Sequence, residues 1–414
     1  MSNNRRKRTA AQAAILVCSI AVAPLAIAQD EAAVQAEYTP LHVNFLGAAN
    51  LPALGGIAVA GLYGMVGLLT LEDGAWHLRS LQNGPKEDFT ALARLSDSEA
   101  LVGSATGRIY RYDGDSLVEL AKLSEYDEPV LDIVAVDGRA WAVGARGIVA
   151  RSPDGKEWEI VTIRDVHQPL ITWPSAQAAD WYFGVSNVDR QSVRLHAAVG
   201  GEPAVADEHY VLFSDEGFLQ ISTDFDMDPA PTIEFNFQPG PPFRPTDVSW
   251  NVVLYDGNKL TLAGEFGMIL QSTDEGETWI RRNTKLGDSE PRPAYWLAGV
   301  QQGDTLFLTG AAGVSSVSRD GGVTWSEQPR PGNEGIFGVT LLDNGNPLIG
   351  GAVGLIGRYD GSEWMVADRT QLKLLSWLKN PVLLADGTIL MLGGRSTAVS
   401  FKDGQWTRMQ VVVH

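Results

Sequence analysis

Ser272-Thr273-Asp274-Glu275-Gly276-Glu277-Thr278-Trp279 and Ser318-Arg319-Asp320-Gly321-Gly322-Val323-Thr324-Trp325 carry one pattern, 46 residues apart. Looser copies end at Trp76, Trp158, Trp364 and Trp406, with acids at Asp73, Asp154, Asp360 and Asp403. The residue types explain one another. An Asp carboxylate accepts hydrogen bonds from amides a residue or two further on and closes a turn. Gly276 and Gly322 supply conformations that side chains resist. The tryptophan lays a large apolar face over the corner.

Outward from each corner the surroundings repeat as well. An apolar stretch leads to Asp137-Gly138, Asp256-Gly257, Gly303-Asp304, Asn344-Gly345 or Asp386-Gly387. Such pairs favour two-residue hairpins. A second stretch leads to a glycine-bracketed turn: 61–64, 144–147, 264–267, 310–313 or 351–354. A third stretch ends in the acidic corner, and a fourth begins near tryptophan. From hairpin turn to tryptophan the distances are 21, 23, 22, 20 and 20 residues. Helical periodicity is absent from this pattern. A four-stranded sheet buries little alone, so a series of them packs face to face and closes into a ring. The expected fold is an all-β β-propeller of about eight four-stranded antiparallel blades. They begin near Pro40, Phe89, Val130, Gln168, Arg244, Ala294, Ile336 and Leu374. The fourth unit is degenerate: Asp165 to Gly240 is long, with Ser222-Thr223-Asp224 as the remnant of a corner. Seven blades with one ornamented blade is the alternative.

The domain plan is a leader over 1–28, a lead-in over 29–39 and one propeller over 40–413. Arg5, Arg6, Lys7 and Arg8 precede an apolar run from Ala10 to Leu25, and Ala26-Ile27-Ala28 offers small residues for cleavage. That is the order of a secretory signal. The run is shorter than the ~20 residues a spanning helix needs. Export to the periplasm or medium, with cleavage near Ala28, is therefore expected over a retained anchor. Cys18 is the sole cysteine; a chain cut at Ala28 has no thiol for disulfides, catalysis or zinc. Taking the four basic leader residues from 32 Lys+Arg leaves 28 against 50 Asp+Glu, a net charge of −22. Nucleic acid and anionic lipid are poor partners for such a surface. No other run is apolar enough to span a bilayer, and a monomer is expected.

The Ser-x-Asp-x-Gly-x-Thr-Trp pattern is the Asp-box, or BNR repeat. The wider frame, as in Gly264-Glu265-Phe266-Gly267-Met268-Ile269-Leu270-Gln271-Ser272 and Gly144-Ala145-Arg146-Gly147-Ile148-Val149-Ala150-Arg151-Ser152, resembles the photosystem II assembly and stability factor family and its bacterial relatives. The resemblance covers Pro40 to Val413. It implies a non-enzymatic scaffold that binds membrane-protein assembly intermediates from the lumenal or periplasmic side. Photosystem binding itself is not carried over, because this chain reads as eight units rather than seven and nothing in it shows a photosynthetic host.

Asp-boxes also occur in sialidases, as structural corners. Such enzymes carry a Phe/Tyr-Arg-Ile-Pro motif; the nearest match is Phe243-Arg244-Pro245, without the isoleucine. A sialidase-like hydrolase or carbohydrate-binding propeller is the alternative function. Asp224, Asp226 and Asp228 alternate as in a calcium loop, but Pro229 and Phe235 stand where glycine and glutamate belong. The six histidines lack zinc spacing. No catalytic residue, cofactor or metal is assigned. The expected structural corners are Asp73, Trp76, Asp154, Trp158, Asp274, Gly276, Trp279, Asp320, Gly322, Trp325, Asp360, Trp364, Asp403 and Trp406. A partner protein, on this reading part of a membrane complex, is expected on the opposite face through Tyr63, Arg146, Phe266, Lys285, Arg292 and Arg395. Off-corner tryptophans (Trp173, Trp181, Trp250, Trp296 and Trp377) are further contact candidates there.

Overall fold

Seven strands rich in β-branched and small residues form the inner wall of a ring: Phe45–Leu51, Phe89–Arg94, Val130–Val136, Trp250–Tyr255, Trp296–Gln302, Ile336–Leu341 and Leu378–Leu383. They define blades 1 to 7. The computed structural model describes residues 42–173, 180–238, 248–282 and 294–413. Each inner strand opens a four-stranded antiparallel meander running outward in chain order. Each also carries a bulge after its first residue, so Leu46, Thr90, Leu131, Asn251, Leu297, Phe337 and Lys379 are the extra residues. A bulge bends a strand and raises its twist, which tilts each blade against the next.

Every inner strand packs on its two neighbours, and blade 7 packs on blade 1. Asn380 Nδ2 donates to Phe45 O at 2.6 Å, and Asn251 Nδ2 to Trp296 O at 2.8 Å. Between blades 6 and 7 the backbones come so close that a Cβ on Gly338 would lie 1.7 Å from Lys379 O. The cores lie between blades. Phe45, Ile57 and Trp76 meet Leu390 and Leu392 across the 1–7 seam, while Val252 and Ile269 meet Trp296 and Trp325 across the 4–5 seam.

The all-β propeller is thus the fold, and of the two counts the ring takes seven. Val130–Val136 packs directly against Trp250–Tyr255, which leaves no space for a blade beginning near Gln168. The intervening chain instead adds to the outside of blade 4. Val166–Thr172 pairs parallel with Ile280–Arg281, Thr232–Phe237 pairs antiparallel with it, and Arg194–His196 forms the edge. Asp180–Tyr182, Phe218–Ile221 and Tyr210–Phe213 make a separate small sheet. Ser222-Thr223-Asp224 follows a strand of that sheet and is not a blade corner. Trp173, Trp181, Phe183, Phe225 and Phe235 fill the ornament's core. At the other end of the chain, Val411–Val413 pairs parallel with Ala75–Ser80 and adds a fifth strand to blade 1.

The hairpin pairs divide in two. Val136 pairs with Arg139, and Gln302 with Thr305, around two-residue turns. Asp256, Asn344 and Asp386 sit in longer loops, where each carboxylate or amide oxygen accepts a backbone N–H two residues on. Asp73-Gly74 and Asp403-Gly404 at the outer corners are two-residue turns as well, with both residues at positive φ as in Asp137-Gly138.

Candidate docking face

The glycine brackets share one geometry. In 61–64, 144–147, 264–267, 310–313 and 351–354 the third residue has φ between 51° and 57° or, for Tyr63, 61°, and the closing glycine is also left-handed. The closing glycine is needed for contact. A Cβ on Gly64 would lie 2.4 Å from Pro85 O, and one on Gly313 2.1 Å from Gly332 O. The turns are tied to the links between blades: Gly64 N donates to Glu87 O at 2.8 Å, Gly147 N to Val248 O at 2.8 Å and Gly267 N to Ala294 O at 2.6 Å. With the backbone pulled onto the link, the third side chain turns outward.

That places Tyr63, Arg146 and Phe266 at equivalent positions in blades 1, 3 and 4. Arg395 (φ 54°) takes the same position in blade 7, where Ser396 replaces the closing glycine and its N–H donates to Val43 O at 2.7 Å. Tyr63 is 87% exposed and Phe266 46%. Asp88 Oδ1 accepts the Tyr63 N–H at 2.7 Å, and Asn44 Oδ1 the Arg395 N–H at 3.0 Å. Arg146 Nε lies 3.6 Å from Glu128. Lys285 and Arg292 lie outside the described residues. Ala312 and Val353, at the same position in blades 5 and 6, escaped the sequence reading although their glycine brackets were recognised. Val353 is 61% exposed. Arg369 spans from Val353 O (3.1 Å) to Glu334 (2.8 Å). Exposed Tyr126 and Leu375 stand in links on this side.

Blade 2 departs from the pattern. Thr106 replaces the outward residue, and Thr106 and Tyr110 hydroxyls donate to Glu87. Burial would raise Glu87, but these bonds, Ser104 and the Arg108 charge bring its carboxyl below the usual range.

The acidic corners face the other end. Asp274 accepts from Ser272, and from Thr278 through both N–H and hydroxyl; Asp320 does the same with Ser318 and Thr324. Trp279 Nε1 donates to Gly276 O at 3.0 Å and Trp325 Nε1 to Gly322 O at 2.9 Å. Trp76 is buried; Trp158, Trp364 and Trp406 are half-buried. Trp173, Trp181, Trp250 and Trp296 are buried too, so they offer no contact surface. Asp154 and Asp360 accept two backbone amides each.

Besides Tyr110, Glu87 and Arg108 in blade 2, a Tyr–Glu–Arg group lies in the 3–4 seam at the acidic-corner end. Glu275 pairs with Arg139 at 2.8 Å and accepts from Tyr255 at 3.1 Å. Burial, then the Glu275 bond, pushes Tyr255 up to about 12. The phenol donates to Glu275, and Arg139 holds the same carboxylate within the seam. Asp226 accepts from Gly200 and Gly201 N–H groups and latches a hairpin of the ornament. Among the described residues, no group of three or more His, Cys, Asp or Glu side chains could hold a metal ion, and no helix is long and apolar enough to cross a membrane.

No family model matches the chain, and no curated protein matches it in sequence. Solved structures match its fold. One described as YCF48 bound to D1 peptide superposes with a TM-score of 0.54 at 11% identity, covering 87% of this chain and 92% of that one. YCF48 from Cyanidioschyzon merolae gives 0.53 at 13% identity, covering 87% and 96%. The WD40 β-propeller domain of Doa1 gives 0.51 at 11%, covering 87% and 94%. At such identities the likeness is one of fold: this chain is built as those β-propellers are.

Proposed function

We propose that this chain is an exported, non-enzymatic Asp-box propeller that docks a protein partner through its glycine-turn face and assists a membrane-associated complex. The observation that carries the reading is the row of bulky, outward, left-handed residues. Non-glycine left-handed residues cost on the order of 1–3 kcal/mol each, and Tyr63, Phe266 and Val353 gain little burial in return. Aromatic and arginine side chains on a rigid ring suit protein recognition. A propeller of similar fold is described as bound to a D1 peptide, which supports a peptide segment as the element recognised. The leader over 1–28, cleaved near Ala28, would deliver the mature chain to the periplasmic side.

The test is site-specific photo-crosslinking in envelope fractions. A crosslinker at Tyr63 or Phe266 is expected to capture one defined protein, and one at Glu277, on the opposite end, to capture none. Tyr63→Ala with Phe266→Ala should weaken binding of that partner at least about tenfold. Capture from both ends alike, or sialoside turnover by the purified chain, would reverse the reading.

A further inference from the structure

The sequence has two Asn-Gly pairs, Asn83-Gly84 in the link from blade 1 to blade 2 and Asn344-Gly345 between the first two strands of blade 6. Both asparagines are exposed, but their surroundings differ. Asn344 stands in a closed turn. Leu342 N donates to Asn346 O at 2.9 Å, Gly345 N to Leu342 O at 2.8 Å and Asn346 N to Asn344 Oδ1 at 3.0 Å. The link from blade 1 to blade 2 is held only at its ends, where Leu81 N donates to Val66 O at 2.7 Å and Gly64 N to Glu87 O at 2.8 Å. Between those anchors, among the described residues, no backbone group from Gln82 to Lys86 makes a backbone hydrogen bond. The Asn83 carboxamide has no hydrogen-bond partner among them either.

That difference bears on a reaction of the chain with itself. The amide nitrogen after an asparagine attacks the side-chain carbonyl carbon when both are free and the backbone between them rotates. At Gly84 no β-carbon crowds the nitrogen. Asn83 sits at φ 61°, a region that asparagine enters and leaves more readily than most residues. A segment without backbone hydrogen bonds also opens at little cost. At the second pair the Gly345 N–H is held on Leu342 O, and the Asn344 carboxamide oxygen is held on the Asn346 N–H. Both bonds must break before attack there. We propose that Asn83 is a self-modification site, converted to aspartate and isoaspartate through a succinimide, and that its turn protects Asn344.

The step balances with water as the only co-reactant. The Gly84 amide gives its proton to solvent, and its nitrogen bonds to Asn83 Cγ. The bond from Cγ to the side-chain nitrogen breaks, and that nitrogen takes up a proton and leaves as ammonia. Water then opens the imide ring. Cleavage at Cγ gives aspartate; cleavage at the Asn83 backbone carbonyl carbon gives isoaspartate, with the chain running through Cγ. Nothing is oxidised or reduced. Either product adds a negative charge to the link, which holds the Tyr63 turn through Glu87 O and the Asp88 carboxylate. Isoaspartate also lengthens the backbone between the two anchors. The chemistry stands whether or not that face docks a partner.

Incubating the purified protein in mildly alkaline buffer, with peptide mass spectrometry at intervals, tests this. Asn83 is expected to be lost at least about tenfold faster than Asn344, because two hydrogen bonds must open first at the latter. Aspartate and isoaspartate should both appear at position 83, told apart by electron-transfer fragmentation. In concentrated urea, where the turn is gone, the two sites should convert within about threefold of each other. Gly84→Ala suits the fold, since Gly84 is not left-handed and the added Cβ would meet only Leu81 Cδ2, at 3.7 Å. That variant should slow conversion at Asn83 by about tenfold, because the new side chain crowds the attacking nitrogen. Equal loss at the two sites in the folded protein, or faster loss at Asn344, would overturn the proposal. So would a ratio that persists in urea, which would assign it to neighbouring residues rather than to the fold. An unchanged rate in Gly84→Ala would rule out the succinimide.

Discussion

Asp320 shows what a single corner residue does. Its carboxylate takes the Thr324 hydroxyl at 2.6 Å and the Thr324 amide at 2.9 Å, plus the Ser318 hydroxyl and the Val323 amide. The Thr324 hydroxyl, then its amide, lead in lowering Asp320 to about 2. A folded value below the ordinary 3.8 means that stability from this group is present above pH ~4 and is lost as pH falls toward 2. Asp320→Ala should therefore destabilise the protein by about 1–2 kcal/mol at neutral pH, read from urea unfolding. The deficit should shrink between pH ~4 and ~2; a deficit constant across that range would show that the charge is not what the corner uses. This corner was legible because every donor lies within four residues of the acid. Val353 marks the limit of such reading. Its bracket was plain, but a valine at φ 52° contradicts its own propensity, and nothing local announces that the backbone is pulled onto a neighbouring link.

At the scale of elements, the chain makes the same move twice. Leaving the outer strand of blade 3, it runs parallel to the outer strand of blade 4, where His167 N donates to Trp279 O at 3.0 Å. Leaving blade 7, it runs parallel to the outer strand of blade 1, where Trp76 N donates to Gln410 O at 2.9 Å. The second move ties the last residues of the ring to its first blade. Parallel pairing between segments hundreds of residues apart leaves no turn signature, so Val411-Val412-Val413 reads in sequence only as an apolar tail. Antiparallel meanders, joined by short turns, were readable throughout. Truncation after Gln410 removes three half-buried valines and leaves the outer strand of blade 1 as a free edge. It should cost about 2 kcal/mol in denaturant unfolding. It should also give concentration-dependent association in size-exclusion chromatography, as open edges do. An unchanged unfolding midpoint would mean the ring closes through its inner strands alone.

The whole molecule is a seven-bladed ring with a graft. The stretch between blades 3 and 4 reads as an eighth unit because it carries the corner-like Ser222-Thr223-Asp224: Ile160 ends blade 3 and Trp250 begins blade 4, whereas Glu327 to Ile336 suffices between blades 5 and 6. Strand-like periodicity persists through the graft because it is itself sheet, so only three-dimensional adjacency separates it from a blade. Arg281 is the point where graft and ring meet. It donates to Gln168 Oε1 at 3.1 Å and Phe183 O at 2.9 Å, and lies 6.0 Å from the Phe237 ring. Burial draws it down to about 10. Inside the intact chain, Arg281→Met leaves those two acceptors without their donor and should cost about 2 kcal/mol. Replacing 166–238 by a short polar link should still give one cooperative unfolding transition with β-sheet circular dichroism, because blades 3 and 4 already touch through their inner strands. In that shortened chain Arg281 reaches water, and Arg281→Met should cost less than about 0.5 kcal/mol. The difference between the two backgrounds measures what Arg281 contributes to holding the graft. Equal costs in both would place its role within blade 4, and loss of the cooperative transition on shortening would make the graft a structural part of the ring.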